Sequence, residues 1–376
     1  MLFSFDDPSP RRFPALYWMV PLLLLDAALL IWLAGCGEEK SVEEIPAQAG
    51  AAEESLVKPP NPWERLSCPT DQQRLLDDNL AGVIQPTASG RLESGLYGSV
   101  RSVMLGKRLV ASFHEGIDIA PLSRDRRGQP EDKVYAAADG TVAYVNRHSG
   151  NSNYGIYVVL THLDPLGPVY TLYAHLASVK SGLGPGQKIR AGDELGLMGH
   201  SSSSPIPADR AHLHFEVGMI DNARFSAWFR GQKLKPDHGL YHGRNLMAVD
   251  PRRVLKARVT DAGFTFEKYL PTIPSAFEIM LAVRTKPDYF VRYKKLAEPD
   301  AFMQGSVVIA CSENGVPLNA RAATQEERAK LGSRKSLVLN VDTNALGRNG
   351  ARLLTRDSAG WKLGENGNRW LEVLLY

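Results

Sequence analysis

Two short stretches of the chain carry side chains that can bind a metal ion. His114 lies four residues before Asp118, and a His-x-His pair, His212 and His214, follows about a hundred residues later. Gly116, in the first stretch, permits a close or unusual backbone path. Imidazole and carboxylate groups in a set of three suit zinc and leave its fourth position open for water. Because an open position separates a catalytic zinc site from a structural one, the pattern predicts a metal-dependent hydrolase.

A predicted strand explains how the second pair can act together. In a strand, residues i and i+2 point to the same face, so His212 and His214 should project into one cleft. One of them can bind the metal while the other reaches the metal-bound water or the substrate oxyanion. A further histidine, His175, lies near the end of another predicted strand and is a candidate for the same cleft.

The spacing of β-rich runs and glycine turns predicts a mainly β fold, with an antiparallel sheet or sandwich followed by a separate β-rich, α+β C-terminal region. Strands are expected at 134–136, 140–145, 154–161, 169–173 and 212–217, then at 306–311, 336–341 and 370–375, and Asn349-Gly350 is a hairpin-type turn.

Two capping-box patterns predict short helices. Thr70 and Gln73 precede leucines at helical spacing, and Thr324 and Glu327 precede a segment that ends at Leu331. In a capping box the two side chains bond each other's backbone N–H groups, which favours a helix start.

Three motifs in order resemble peptidase family M23, the zinc metallopeptidases of lysostaphin and LytM type. The family pattern is H-x-x-x-D, then Y-x-H-L, then H-L-H-F-E. This chain has His-Glu-Gly-Ile-Asp at 114–118, Tyr-Ala-His-Leu at 173–176 and His-Leu-His-Phe-Glu at 212–216. The likeness covers roughly residues 90–255.

The resemblance implies one zinc ion per chain, with His114, Asp118 and His214 as its ligands. His175 and His212 would be the two histidines that assist a metal-activated water, and which of them is the general base stays open. The function implied is a zinc endopeptidase that hydrolyses the peptide cross-bridges of bacterial peptidoglycan.

The resemblance also implies an alternative function of a different class. Some relatives have lost their zinc site and act as non-hydrolytic binding modules that activate separate cell-wall amidases. Such relatives normally lack one or more ligand residues, whereas this chain lacks none, so we favour the enzyme.

The N-terminus predicts export and a membrane tether. Arg11 and Arg12 precede an apolar run at 13–33, and small residues lead to Cys36. This pattern resembles a bacterial lipoprotein signal in which Cys36 is lipidated, and an uncleaved anchor helix is the alternative. Either reading predicts a cell-envelope protein on the extracytoplasmic side of a membrane, facing the periplasm in a Gram-negative bacterium.

The composition divides the chain into five predicted segments. They are a signal or anchor at 1–36, a linker at 37–62, a short helical lead-in at 63–89, the peptidase domain at 90–256, and a C-terminal domain at 257–376. The last segment carries no motif chemistry, so a wall-binding, partner-binding, cleft-blocking or stabilising role stays open. The C-terminal domain is therefore a possible binding site for a protein partner.

Charge and cysteine content restrict the partners further. The chain has 44 Lys+Arg against 41 Asp+Glu, a net charge of +3, which argues against a nucleic-acid protein.

After Cys36, the remaining Cys68 and Cys311 are an even pair in an oxidising compartment, and we expect either a disulfide or two free thiols.

Three loops depart from the family pattern and are expected to rim the cleft. They are the charged segment 121–132, the Ser/Pro-rich segment 201–211 and an insertion at 225–244. Glu216 is either a contact of the metal ligands or only a strand residue, and the second interpretation is slightly favoured.

Overall fold

The computed structural model describes residues 60–105, 108–235, 238–347 and 353–376. The predicted export signal with Cys36, the linker up to residue 59 and the Asn349-Gly350 turn lie outside these ranges. Within them, none of the helices combines the length and the apolar character that a bilayer span requires.

Short strands joined by tight turns make up the first part of the described chain. The strands are β1 (Val100–Leu105), β2 (Arg108–Phe113), β3 (Ile117–Ile119), β4 (Lys133–Tyr135), β5 (Gly140–Asn146), β6 (Ile156–Asp164), β7 (Gly167–Leu176), β8 (Ser178–Val179), β9 (Lys188–Ile189), β10 (Glu194–Leu197), β11 (Leu213–Ile220) and β12 (Leu246–Val249). Helix α1 spans Phe225–Gly231, and 3₁₀ turns lie at Gln73–Leu76, Leu92–Gly95, Ser149–Asn151, Ala208–Arg210, Gly239–Tyr241 and Gly243–Asn245.

The main sheet is antiparallel and has the order β12-β11-β7-β6-β5-β9. Strand β3 also pairs with β11, on the edge that β12 occupies further along. Strands β4, β10 and β8 form a second sheet, and β1 with β2 forms a hairpin. Every residue of β11 is buried, because this strand has neighbours on both edges and packing on both faces.

The C-terminal part adds a second set of strands and most of the helices. The helices are α2 (Pro251–Thr260), α3 (Phe266–Tyr269), α4 (Asp288–Arg292), α5 (Gln325–Leu331), α6 (Thr343–Leu346) and α7 (Glu365–Leu374), with 3₁₀ turns at Leu270–Thr272 and Lys294–Leu296. The strands are β13 (Phe277–Ala282), β14 (Ser306–Cys311), β15 (Pro317–Ala322), β16 (Ser336–Val341), β17 (Leu354–Asp357) and β18 (Gly360–Leu363). Their order is β15-β14-β13-β16, with β17-β18 as a separate hairpin.

One buried carboxylate joins the lead-in segment, the main sheet and the C-terminal part. Asp164, at the end of β6, accepts a hydrogen bond from the indole of Trp63 at 2.8 Å and from the backbone N–H groups of Phe266 at 2.7 Å and Glu267 at 3.1 Å. The hydrophobic core continues through the same region, from Trp63 to Leu374. The division at residue 256 stays a prediction, since Lys58–Tyr376 form one compact unit.

The mainly β fold with antiparallel pairing is confirmed, and so are most of the predicted elements. The predicted pair 154–161 and 169–173 is β6 with β7, and 306–311 and 336–341 are β14 and β16. The second capping box is present, with Thr324 and Glu327 bonding each other's backbone N–H groups at 3.2 and 2.8 Å.

Two local predictions were wrong. Of residues 370–375, predicted as a strand, all but Leu375 belong to helix α7, which buries Leu371 and Leu374. The prediction was wrong because a short apolar run of this kind is compatible with a strand or with a helix. In the lead-in, Thr70 accepts from the N–H of Gln72 at 3.2 Å and so closes a local turn, followed by a single 3₁₀ turn.

The disulfide between Cys68 and Cys311 is also absent, since both thiols are free. The segment around Cys68 lies along β4, where Ser67 donates to the carbonyl of Ala137. Cys311 instead ends β14, in the interior of the C-terminal sheet. Burial raises the pKa of both thiols, which keeps them protonated.

An unpartnered carboxyl group lies where β11 meets the C-terminal part. Asp221 is 1% exposed, and neither side-chain oxygen accepts a hydrogen bond. The nearby guanidinium of Arg292 bonds the backbone carbonyls of Ile220 and Asp221 and the carboxylate of Asp288 instead. Burial raises the pKa of Asp221 to about 8, although Arg292 opposes this.

This pKa predicts a loss of stability as the pH rises. An unfolded aspartate ionises near pH 4. Between about pH 4 and about pH 8 the folded state therefore holds one more proton than the unfolded state, and the free energy of unfolding falls with rising pH. We expect Asp221→Asn to remove this contribution, so that the stability of the variant relative to the parent chain rises by up to about 5 kcal/mol between pH 4 and pH 8.

Urea unfolding of the full-length chain with chelator, across pH 4–8, measures this difference. Asp300→Asn replaces an exposed carboxyl group and serves as the control. A stability difference between Asp221→Asn and the parent chain that does not change with pH would refute the assignment.

Candidate functional site

Strand β11 carries His214, and His212 lies immediately before its first residue, in a bridge with Gly199. The first half of β11 pairs with β3 on one edge, so that His214 lies opposite Asp118. On the other edge it pairs with β7, where Ala174, next to His175, lies opposite His214. The cross-strand register therefore joins three motifs that are distant in the sequence.

Three candidate ligand atoms form a small triangle. Nε2 of His114 and Oδ1 of Asp118 are 2.9 Å apart, Nδ1 of His214 and Oδ1 of Asp118 are 3.0 Å apart, and the two ring nitrogens are 3.1 Å apart. All three side chains are buried. Four tetrahedral ligands at zinc bond lengths lie about 3.3 Å from one another, so the triangle has nearly the required size.

The hydrogen bonds fix which nitrogen of each histidine carries the proton. In each histidine one ring N–H donates to an oxygen that can only accept. In the two candidate ligands, Nδ1 of His114 donates to Leu96 O at 2.9 Å and Nε2 of His214 to Glu216 Oε1 at 2.9 Å. In the two other histidines, Nδ1 of His212 donates to Arg210 O at 2.7 Å and Nδ1 of His175 to Ser201 O at 2.8 Å. A neutral imidazole has one N–H, so the remaining nitrogen of each ring offers a lone pair to the site.

This arrangement fits a metal cation. His114, Asp118 and His214 then present three lone-pair atoms about 3 Å apart in a buried place, and such atoms repel one another unless a proton or a cation lies among them. Outer hydrogen bonds that orient the ligand histidines are the usual support of a metal centre. The cluster could therefore bind a metal ion.

The electrostatics of the cluster favour positive charge at its centre. Burial alone would lower the pKa of His214, but hydrogen bonds to Asp118 and Glu216 outweigh it and raise the pKa to about 9. Burial would likewise raise the pKa of Asp118, but its electrostatic interactions with His114 and His212 and its hydrogen bonds with His114 and His214 hold that pKa well below its usual range.

The two other histidines lie beside this triangle and remain neutral. The ring centroids of His175 and His212 are 4.8 Å apart, and Nε2 of His212 is 3.5 Å from Oδ1 of Asp118. Burial lowers the pKa of both, and for His175 the charges of His212 and His214 lower it further. A neutral ring whose second nitrogen is free can accept a proton.

A bulge in β7 turns His175 toward the site. Two residues, Ala174 and His175, lie between the ladder positions Tyr173 and Leu176, where β6 has only one. His175 has φ 61°, a left-handed conformation that costs a non-glycine residue roughly 1–2 kcal/mol. Without the bulge, strict alternation would direct this ring to the face opposite His214.

Glu216 belongs to the site, contrary to the interpretation favoured from the sequence. Its Oε1 accepts from His214 at 2.9 Å and from the hydroxyl of Tyr154 at 2.7 Å, and its Oε2 accepts from Tyr170 at 2.9 Å. The i+2 spacing from His214 on one strand was the signal that could have identified it.

Arg101 is a second contact that sequence reasoning missed. Its Nη2 donates to Oδ2 of Asp118 at 2.9 Å, which leaves Oδ1 for the triangle. The residue lies on β1, before the first motif, and the sequence contains no spacing signal for it.

These groups form part of the floor of a cleft of about 1030 Å³. Two of the three predicted rim loops line it, through 202–206 and Arg210 and through His238 and 242–244. The segment 121–132 supports the rim from behind, because the guanidinium of Arg124 donates to the carbonyls of Ala208, Asp209 and Ala211. Residues of α7 also line the cleft, which the sequence did not predict.

A comparison with known families supports the motif interpretation. Residues 112–226 match the model described as Peptidase family M23. This range contains the four site histidines and Asp118. Over these residues the chain is similar to peptidase family M23. The match ends two residues into the insertion at 225–244 and does not include the C-terminal part.

Several solved structures are similar to parts of the chain. A zinc-containing peptidase from Vibrio cholerae shares 26% identity over 32% of this chain and 33% of its own, with a TM-score of 0.23. The catalytic domain of lysostaphin from Staphylococcus simulans shares 20% identity over 43% of this chain and 89% of that domain, with a TM-score of 0.27. The M23 protein EnpA from Enterococcus faecalis shares 24% identity over 32% and 75%, with a TM-score of 0.23. The chain thus spans about a third of the Vibrio protein.

Gly116 is required by the packing of the M23 site. A Cβ at this position would lie 2.5 Å from Phe215 O and 2.8 Å from Nε2 of His214. We expect Gly116→Ala to displace the His214 ring and to weaken metal affinity by about 10–100-fold, the range seen when ligand support is lost. Competition with a chromogenic chelator measures the affinity. Gly150→Ala, with no atom near its Cβ, is the control, and unchanged affinity in Gly116→Ala would contradict the packing argument.

The backbone of His175 offers a matched pair of variants. His175→Gly and His175→Ala both remove the ring, but only glycine adopts φ 61° without strain. We expect the glycine variant to be more stable than the alanine variant by about 1 kcal/mol in urea unfolding. Equal stability, or a more stable alanine variant, would show that the bulge is not strained.

Proposed function

We propose that the chain is a zinc-dependent endopeptidase that hydrolyses the peptide cross-bridges of bacterial peptidoglycan. The observation that supports this most strongly is the convergence of three buried ligand atoms and two neutral histidines at the floor of an open cleft. A binding module without chemistry has no need of two histidines with free lone pairs beside a metal site.

The donor set of two imidazoles and one carboxylate is one that zinc prefers. A zinc ion held by His114, Asp118 and His214 would supply Lewis-acid polarisation of the scissile carbonyl and a lowered pKa for water. Arg101 holds the outer oxygen of Asp118, and Glu216 holds the outer nitrogen of His214. These contacts keep the ligands in place before a substrate arrives.

His175 and His212 supply the proton transfers. Each donates its Nδ1–H to a backbone carbonyl, so each presents Nε2 to the cleft in a fixed orientation. One of them accepts a proton from the attacking water at Nε2 and returns that proton to the leaving amine as the C–N bond breaks. The other lies beside it as the second candidate for the same role, so which of the two is the base stays open. Their lowered pKa keeps both ready to accept a proton at neutral pH.

The proposal includes a location. Peptidoglycan lies outside the cytoplasmic membrane, which agrees with the export signal and the tether through Cys36, or through an uncleaved apolar helix, expected from the sequence. The C-terminal part, with its own sheet, is the place for a protein partner, if the chain has one.

Zinc content and digestion of purified peptidoglycan test the proposal on the full-length chain. We expect one zinc per chain and new amino termini in the products. His114→Ala should lose both zinc and cleavage, whereas His175→Ala and His212→Ala should keep zinc and lose about 10²–10⁴-fold in kcat. His148→Ala, an exposed histidine, is the control. A chain without zinc and without cleavage would favour the amidase-activating module instead.

A further inference from the structure

The C-terminal helix completes the cleft of the M23 domain. Asn366, Arg369, Trp370 and Val373 of α7 line the same cleft as the site histidines. The helix is held in place by Asn222, whose side-chain amide donates to Val373 O at 2.8 Å, and by the packing of Val373 in the α1 cluster. The wall on this side therefore depends on residues that the family match does not include.

Arg244 belongs to the same wall and lies beside the contacts that support the metal site. A Cβ on the preceding Gly243 would be 3.0 Å from the hydroxyl of Tyr154. That hydroxyl donates to Glu216, which in turn holds His214. The loop that carries Arg244 thus packs directly on the outer contacts of the predicted metal ligands.

The positive charges of Arg244 and Arg369 are poorly compensated. Among the described residues, the guanidinium of Arg244 has no carboxylate partner, and Arg369 has only Glu365, one helical turn away at 3.3 Å. Partial burial and the charge of Arg369 lower the pKa of Arg244, so the two guanidinium groups repel each other. Among the carboxyl groups that line the cleft, Asp118 and Glu216 are already bonded by Arg101, His214 and two tyrosines, and Asp221 makes no hydrogen bond to either arginine.

An anionic group between the two arginines would remove this repulsion. Guanidinium groups bind carboxylates through paired N–H donors, which adds geometric selectivity to charge. On the proposed function the occupant of the cleft is a peptide, and the anionic groups of a peptide are carboxylates.

We propose that Arg244 and Arg369 form a subsite that binds a carboxylate group of the substrate peptide. The inference rests on the proposed function for the identity of the ligand, but the subsite itself can be tested by binding alone. It gives the C-terminal part a specificity role: it selects peptides that carry a carboxylate at this position.

The test uses the full-length chain with Arg244→Gln, Arg369→Gln and the double variant. Arg356→Gln, an exposed arginine on β17, is the matched control. The probes are fluorescent cross-linked peptides that differ only in one group, with either the C-terminal or a side-chain carboxylate replaced by a carboxamide. The two replacements distinguish the two sources of a carboxylate.

Anisotropy with the His175→Ala background measures binding without cleavage. We expect the parent chain to bind the carboxylate peptide about tenfold more tightly than one of its two carboxamide analogues. Each arginine variant should lose this preference. The double variant should bind the carboxylate peptide as weakly as the parent chain binds the carboxamide analogue, and no more weakly. Where cleavage is seen, the loss should appear in KM and leave kcat nearly unchanged.

The outcomes separate the two proposals. Binding that prefers the carboxylate without any cleavage by the parent chain would retain the subsite and refute the endopeptidase. Equal binding of all peptides, no binding of any of them, or a preference that survives in the double variant would overturn the subsite whatever the activity.

Discussion

The buried carboxylate of Asp118 is the interaction on which the site depends. A lone carboxylate at this depth would be very costly, and here it is compensated by Arg101 on one oxygen and by the histidines around the other. The pairing of β11 with β3 places it opposite His214, so the cluster of candidate ligands depends on the sheet. A misregister of one residue would direct the ligands to opposite faces.

The same region holds the features that a stable fold would avoid. His175 has a left-handed backbone conformation in a bulged strand. At Gly116 an added Cβ would overlap its neighbours, since it would lie 2.5 Å from Phe215 O. Three lone-pair atoms meet within about 3 Å of one another. These destabilising features lie together in one place, which is typical of functional sites. The hydrogen bonds of Asp164 and the continuous hydrophobic core stabilise the fold elsewhere and offset them. The account of the cleft follows from this balance.

Much of this could be predicted from the sequence, because the site residues occur in short motifs with fixed spacing. The i+2 relation of His212 and His214 implied a shared face, and the structure has it. The bulge at His175 and the role of Arg101 could not be predicted, since both depend on how separate strands align. The error at 370–375 has another cause: a short apolar run fits a strand or a helix, and the run alone does not reveal the packing that buries Gly367, Leu371 and Leu374 of α7.

The central claim is that His114, Asp118 and His214 together hold one metal ion at the floor of a cleft that the C-terminal helix completes. Anomalous diffraction from crystals of the zinc-loaded chain tests it most directly. The account predicts a single strong peak bonded to Nε2 of His114, Oδ1 of Asp118 and Nδ1 of His214, with His175 and His212 nearby but unbonded. A peak bonded to His175 or His212 in place of one of these ligands, or no peak in this cleft, would contradict it.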